Sequence, residues 1–139
     1  MAGQCKTFDH TADLGLAARA DTLAELFQAL AEGLADVICP RAKLRPQAET
    51  MITVEAEDRE ALAVDFLWKV MDTIQADHRM VAAVEVREID DTHIKAALVC
   101  EDYDPARHEV LTEIKAVTYH QLKVAPEGDQ WIGRVVLDI

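Results

Sequence analysis

The chain has 139 residues, half of them apolar, which suffices for one hydrophobic core without metal or disulfide staples. Its 26 Asp and Glu against 14 Lys and Arg leave a formal charge of −12, a field that keeps the protein dissolved and opposes the long-range approach of a phosphate backbone. Free RNA is therefore not expected as the primary ligand.

Met1-Ala-Gly-Gln4 lacks the basic start and apolar stretch of a secretory signal. The most apolar later segment, Ala61 to Met71, is interrupted by Asp65 and Lys69, so neither export nor membrane insertion is expected. Cys5, Cys39 and Cys100 are odd in number and far apart, without the paired spacing of a disulfide framework or a zinc site. They read as reduced cytoplasmic thiols.

Cys5 to Phe8 and Leu14 to Ala18 are short apolar-rich stretches that fit two strands. Between them lies Phe8-Asp9-His10-Thr11-Ala12-Asp13, which packs two carboxylates and an imidazole into one short connection. Thr22-Leu-Ala-Glu25 is a capping box, and Leu23, Leu26, Phe27, Leu30, Leu34 and Val37 follow at helical spacing until Pro40 ends the pattern. Arg41 to Pro46 is a surface connection. Met51 to Ala56 alternates as a half-buried strand, with Ile52, Val54 and Ala56 on the inner side. Asp58 is placed to cap a second helix whose stripe is Leu62, Phe66, Leu67, Val70 and Ile74, running to about Ala76.

Four strands are expected in the remainder: Val81 to Glu88, His93 to Cys100, Glu113 to Val124 and Trp131 to Ile139. Asp90-Asp91 and Pro126-Glu-Gly128-Asp supply turns, and Asp102 to His108 is a polar joint. Two early helices and a late run of strands predict an α+β fold, a single domain over residues 1–139 with two helices packed on one face of a mainly antiparallel sheet.

Alternation along the last strand puts Asp138 on the same side as Ile132, Arg134 and Val136. A carboxylate there is costly to bury unless a cation or donors meet it. With the carboxylate of Ile139 beside it and an acidic loop nearby, the pattern favours a hard cation with oxygen ligands, Mg²⁺ or Ca²⁺, over zinc. The same residues also fit a plainer reading, with Asp9 and Asp13 as Asx-turn or cap residues and Asp138 solvated at a chain end. His10 alone reads as a turn or core imidazole. Lys115 reads as a surface lysine, and His120 as a half-buried, hydrogen-bonded one on the side of Thr118. No phosphate loop, dinucleotide turn or nucleophile elbow is present, and Cys5 and Cys100 sit in apolar strands as packing thiols.

Taken with Lys115-Ala-Val-Thr118-Tyr-His120 and Val136-Leu-Asp138-Ile139, the Phe8 to Asp13 run resembles the archease family, small accessory proteins of the RtcB-type GTP-dependent RNA ligase. The matching blocks keep their order from Phe8 to Ile139. The resemblance implies a divalent ion, Ca²⁺ or Mg²⁺, held by Asp13, Asp138 and an oxygen of Ile139. It further implies an activating surface around Asp9, His10, Lys115 and His120. The implied function is promotion of ligase guanylation and repeated turnover in tRNA splicing or RNA repair, by a protein that is not itself an enzyme and meets RNA only through the ligase. Two other readings stay open: a stand-alone Mg²⁺-dependent phosphohydrolase or nuclease using Asp9, Asp13 and Asp138, and a chaperone-like binding module for RNA-processing enzymes.

Overall fold

The computed structural model describes residues 3–10 and 13–139, apart from the side chains of Asp9 and His10. Strands β1 (Gln4–His10) and β2 (Asp13–Ala20) pair antiparallel. Helix α1 (Leu23–Ile38) starts where the capping box predicts, with the Glu25 N–H donating to Thr22 Oγ1 at 3.1 Å. The Thr22 hydroxyl in turn donates to the Glu25 carboxylate at 2.9 Å. A 3₁₀ turn at Arg41–Lys43 leads into β3 (Ala48–Glu55). Helix α2 (Arg59–Gln75) is capped by Asp58, whose carboxylate accepts from the Ala61 N–H at 2.8 Å. Strands β4 (Arg79–Ile89), β5 (His93–Asp102), β6 (Ala116–Glu127) and β7 (Gln130–Asp138) complete the chain. The last two are joined by a two-residue turn with Gly128 at φ +64°, a conformation that glycine adopts without the steric penalty of a Cβ.

All pairings are antiparallel, as the turn chemistry predicts, and the α+β class holds. The strands nevertheless divide into two sheets instead of the single one expected: a four-stranded sheet in the order β1-β2-β7-β6 and a three-stranded sheet in the order β3-β5-β4. Both helices pack against both sheets. The reason lies in α1, whose buried residues include Leu26, Phe27, Ala29, Leu30, Ala31, Leu34, Val37 and Ile38. That apolar arc is wider than one sheet face covers, so β1, β2 and β7 meet one side of it and β4 another. Phe27 and Phe66, with ring centroids 5.8 Å apart, lock the two helices together.

The helices also cover sheet edges. Glu32 and Gln28 of α1 accept from the Val84 and Val86 N–H groups of edge strand β4, each at 2.9 Å, which satisfies donors that an open edge would expose. The expected strand from Glu113 begins only at Ala116: Ile114, before it, bonds the Gln75 side chain of α2 instead of a strand, and Lys115 makes a single hydrogen bond to Asp138 of β7. Among the described residues, no helix is long and apolar enough to cross a membrane.

Candidate functional site

At one end of the four-stranded sheet the register aligns a single row of residues. His10 faces Asp13 between β1 and β2, Asp13 faces Asp138 between β2 and β7, and Asp138 faces Ala116 between β7 and β6. Residues 125 positions apart in sequence are thus direct cross-strand neighbours, with Cβ atoms about 5 Å apart. Both aspartates are half-buried. Two like charges directly opposed across a strand pair are mutually destabilising unless a cation or donors share them. Ile139 follows Asp138 directly and is 38% exposed.

Lys115 joins this end through its backbone, its N–H donating to the Asp138 carbonyl at 2.7 Å. Helix α2 holds the segment from the other side. Gln75 bonds both main-chain groups of Ile114, accepting from its N–H and donating to its carbonyl, each at 2.8 Å. The Trp68 indole donates to the Val117 carbonyl at 3.1 Å. The Lys115 side chain is exposed, and among the described residues it has no ion-pair partner.

His120 departs from its expected place. It is exposed instead of half-buried, because β6 carries a wide bulge: four residues between Thr118 and Lys123 oppose one residue of β7 between Val136 and Arg134. Gln121 sits at φ 53° within it. Thr118 anchors the bulge by donating to the Val136 carbonyl at 2.8 Å and accepting from the His120 N–H at 3.3 Å. Strict alternation, which put His120 beside Thr118 on an inner side, fails wherever extra residues are inserted into a strand.

The structure therefore brings together the main chains of His10, Asp13, Asp138 and Lys115, and places His120 further along β6. The side chains of Asp9 and His10 lie outside the described residues. Among the described residues, no group of three or more His, Cys, Asp or Glu gathers as a metal centre. Asp13 and Asp138 form an all-oxygen pair whose chemistry fits a hard cation completed by main-chain oxygens or water, and not a structural zinc.

One buried ionic cluster escaped the sequence reading, which took Asp102 to His108 as a polar joint. Glu101 and His108 are 2% and 7% exposed. The Glu101 carboxylate accepts from the Arg45 N–H at 2.8 Å, lies 2.8 Å from His108 Nε2, and pairs with Arg107. The Asp104 N–H donates to His108 Nδ1 at 2.9 Å. A backbone N–H only donates, so Nδ1 carries no proton, and the Nε2–H is left to donate to Glu101. The ring is neutral, and burial together with the nearby Arg107 guanidinium lowers its pKa. A Glu and a His seven residues apart across a strand end carry no periodic signal that would have exposed this pairing.

The cysteines are free, as expected. Cys5 packs beneath Gly33 of α1, and its burial raises the thiol pKa to about 11. Burial also pushes Cys39 and Cys100 upward, so all three are protonated and unreactive at neutral pH.

Residues 6–139 match the Archease protein family (MTH1598/TM1083). The chain is 35% identical to Protein archease of Pyrococcus furiosus over 98% of its length and 99% of the relative's. It is 36% identical to Protein archease of Thermococcus kodakarensis, over 95% and 96% of the two chains. Among solved structures, the solution structure of Methanobacterium thermoautotrophicum protein 1598 superimposes with a TM-score of 0.71 at 27% identity, covering 97% of this chain and 98% of that one. A Thermotoga maritima protein described as an archease and possible chaperone shares the fold at a TM-score of 0.59 and 23% identity, over 96% of each chain.

Proposed function

Because the chain belongs to the archease family, we propose that it is a cytoplasmic, non-enzymatic accessory protein that activates an RtcB-type GTP-dependent RNA ligase, promoting its guanylation and repeated turnover. One observation supports this reading above others. The blocks that carry the family resemblance, separated by more than a hundred residues, meet at one end of one sheet, where Asp13 opposes Asp138 and the Lys115 N–H bonds the Asp138 carbonyl.

In this reading Asp13 and Asp138, with an oxygen of Ile139, hold one divalent cation, Ca²⁺ or Mg²⁺. Such an ion would neutralise the opposed carboxylates and stiffen the ends of β2 and β7. Lys115, aimed outward from a backbone pinned by Gln75 and β7, supplies a point charge for a carboxylate or phosphate of the ligase complex. Asp9, His10 and His120 belong to the same activating surface. The net charge of −12 suits docking beside a basic, RNA-accommodating cleft.

The test is transfer of label from radioactive GTP to a cognate ligase with and without this protein. Faster guanylation and multiple turnover are expected, and a ligase indifferent to the protein would reject the reading. A chaperone-like role is the second reading, favoured by Val110 and Leu111, 49% and 54% exposed, in the stretch between β5 and β6. It predicts a more heat-resistant ligase with an unchanged guanylation rate. Hydrolysis of RNA or nucleotides by the purified chain would favour the metal-dependent nuclease reading instead.

A further inference from the structure

The outer face of the four-stranded sheet carries a second feature, well away from the Asp13–Asp138 row. The register sets Lys6 of β1, Ala17 of β2, Arg134 of β7 and Lys123 of β6 side by side across all four strands. Arg19 lies one pleat further along β2, on the same side as Ala17. These residues line a trough of about 490 Å³ that includes the small side chain of Ala17, with Ile132 at one flank. Four of the chain's 14 basic residues are thus gathered on one face of a protein whose total charge is −12.

The acidic compensation there is slight. Arg19 lies 3.7 Å from Glu127. Among the described residues, neither Lys6 nor Lys123 has an ion-pair partner, and both are exposed. Among the described residues, Arg134 bonds only a neutral group, the Gln121 amide, at 3.3 Å, while its guanidinium lies over the Phe8 ring, 4.1 Å from the centroid. Phe8 itself is seated on Gly15, its cross-strand neighbour, where a Cβ would meet the ring at 2.0 Å. Glycine at this position lets the aromatic lie flat on the sheet.

From this arrangement we propose that the trough binds the sugar-phosphate backbone of single-stranded RNA, with Lys6, Lys123, Arg19 and Arg134 meeting phosphates and the Arg134–Phe8 pair offering a planar surface to one base. Point charges spaced over three strand separations, about 14 Å, track a backbone and not a single anion. A guanidinium stacked on an aromatic ring has its second flat face open to a base, a contact that a carboxylate, which takes the guanidinium edge, does not use. The overall negative charge opposes approach from a distance, but it is screened beyond about 8 Å at physiological salt, whereas contacts inside the trough are not. Binding is therefore weak and strongly dependent on salt. The proposal goes beyond the activation of a ligase and does not rest on it.

The test uses the isolated chain without ligase: fluorescence anisotropy of a labelled oligouridylate of about ten nucleotides, titrated from about 50 to about 200 mM salt. The expected plot of log affinity against log salt has a slope of about −3, since each of four phosphate contacts contributes about −0.7. The double variant K6A/K123A, which alters only exposed side chains and keeps the wild-type melting temperature, weakens binding roughly ten-fold at low salt and halves the slope. Lys95→Ala, exposed on the other sheet, leaves both unchanged. The proposal is overturned by any of three results: no binding at about 50 mM salt, equal affinity of K6A/K123A and wild type, or equal loss in Lys95→Ala. Capture of polyglutamate by the wild type without capture of the oligouridylate overturns it too, by assigning the trough to an acidic protein segment. None of these outcomes bears on guanylation, so failure here and failure of the activation reading are told apart.

Discussion

Asp138 shows what a single residue contributes when its surroundings are supplied by strands remote in sequence. It is the direct cross-strand partner of Asp13 between β2 and β7, a placement in which like charges repel by a few tenths of a kcal/mol to about 1 kcal/mol unless a cation or donors share them. If the pair holds the proposed cation, Asp138→Asn should abolish any rise in melting temperature produced by Ca²⁺ or Mg²⁺ in the wild type, while leaving stability in the presence of a chelator equal or slightly higher. A variant whose melting temperature still climbs with the ion would remove Asp138 from the ligand set. Lys115→Ala should do the opposite. It alters an exposed side chain, so stability and ion response stay as in the wild type while guanylation of the ligase slows, at least ten-fold if the lysine meets a phosphate or carboxylate at the ligase surface. Unaltered activation by folded Lys115→Ala would take the lysine off the activating surface.

At the scale of elements, α2 acts as a clamp on the segment before β6 that bears Lys115. The Gln75 side chain satisfies both backbone groups of Ile114, and Ile114 is itself buried. Gln75→Ala leaves that donor and acceptor without their partners, at about 1–3 kcal/mol for each group that water does not reach. Urea unfolding should register a loss of that order, and activation should fall even under conditions where the variant stays folded, because the segment before β6 is no longer held against β7. Equal stability of Gln75→Ala and wild type would show that the clamp carries no weight. The helix itself was readable in advance from the Asp58 cap and the Leu62 to Ile74 stripe. The clamp was not, since a glutamine at the end of a helix carries no mark of which carbonyl it will meet.

For the whole molecule, the Glu101–His108–Arg107 cluster ties stability to pH. His108 accepts from the Asp104 N–H in its neutral form, and burial lowers its pKa from the ordinary value of 6.5. In the unfolded chain the imidazole titrates near that ordinary value. Between the two pKa values the unfolded state holds more protons, so stability rises with pH. The contribution is complete above about pH 6.5 and is lost as pH falls through the folded pKa. Urea midpoints measured from about pH 7.5 down to about pH 5 should decline in the wild type, and the decline should be shallower in His108→Gln, which has no group titrating in this range. Parallel curves for the two proteins would locate the acid sensitivity elsewhere.

Most of what is local was decided by the sequence. Thr22 and Asp58 cap helices where their neighbours predicted, Gly128 turns the last hairpin, and the order of helices and strands implies an α+β fold, because caps, turns and periodicity depend on residues within a few positions of one another. The blocks at Phe8 to Asp13, Lys115 to His120 and Val136 to Ile139 likewise mark the family. Tertiary structure decided the rest. Division into two sheets follows from the width of the α1 apolar arc, and exposure of His120 from a bulge in β6. The meeting of Asp13 with Asp138 follows from the β2–β7 register, which is settled by packing between distant segments and leaves no trace in either one alone. Net charge is the sharpest instance. Summed along the chain it is −12 and argues against a phosphate ligand, yet pairing four strands aligns Lys6, Arg134 and Lys123 in one row, because a sum over residues records how many charges there are and not which of them the fold brings together.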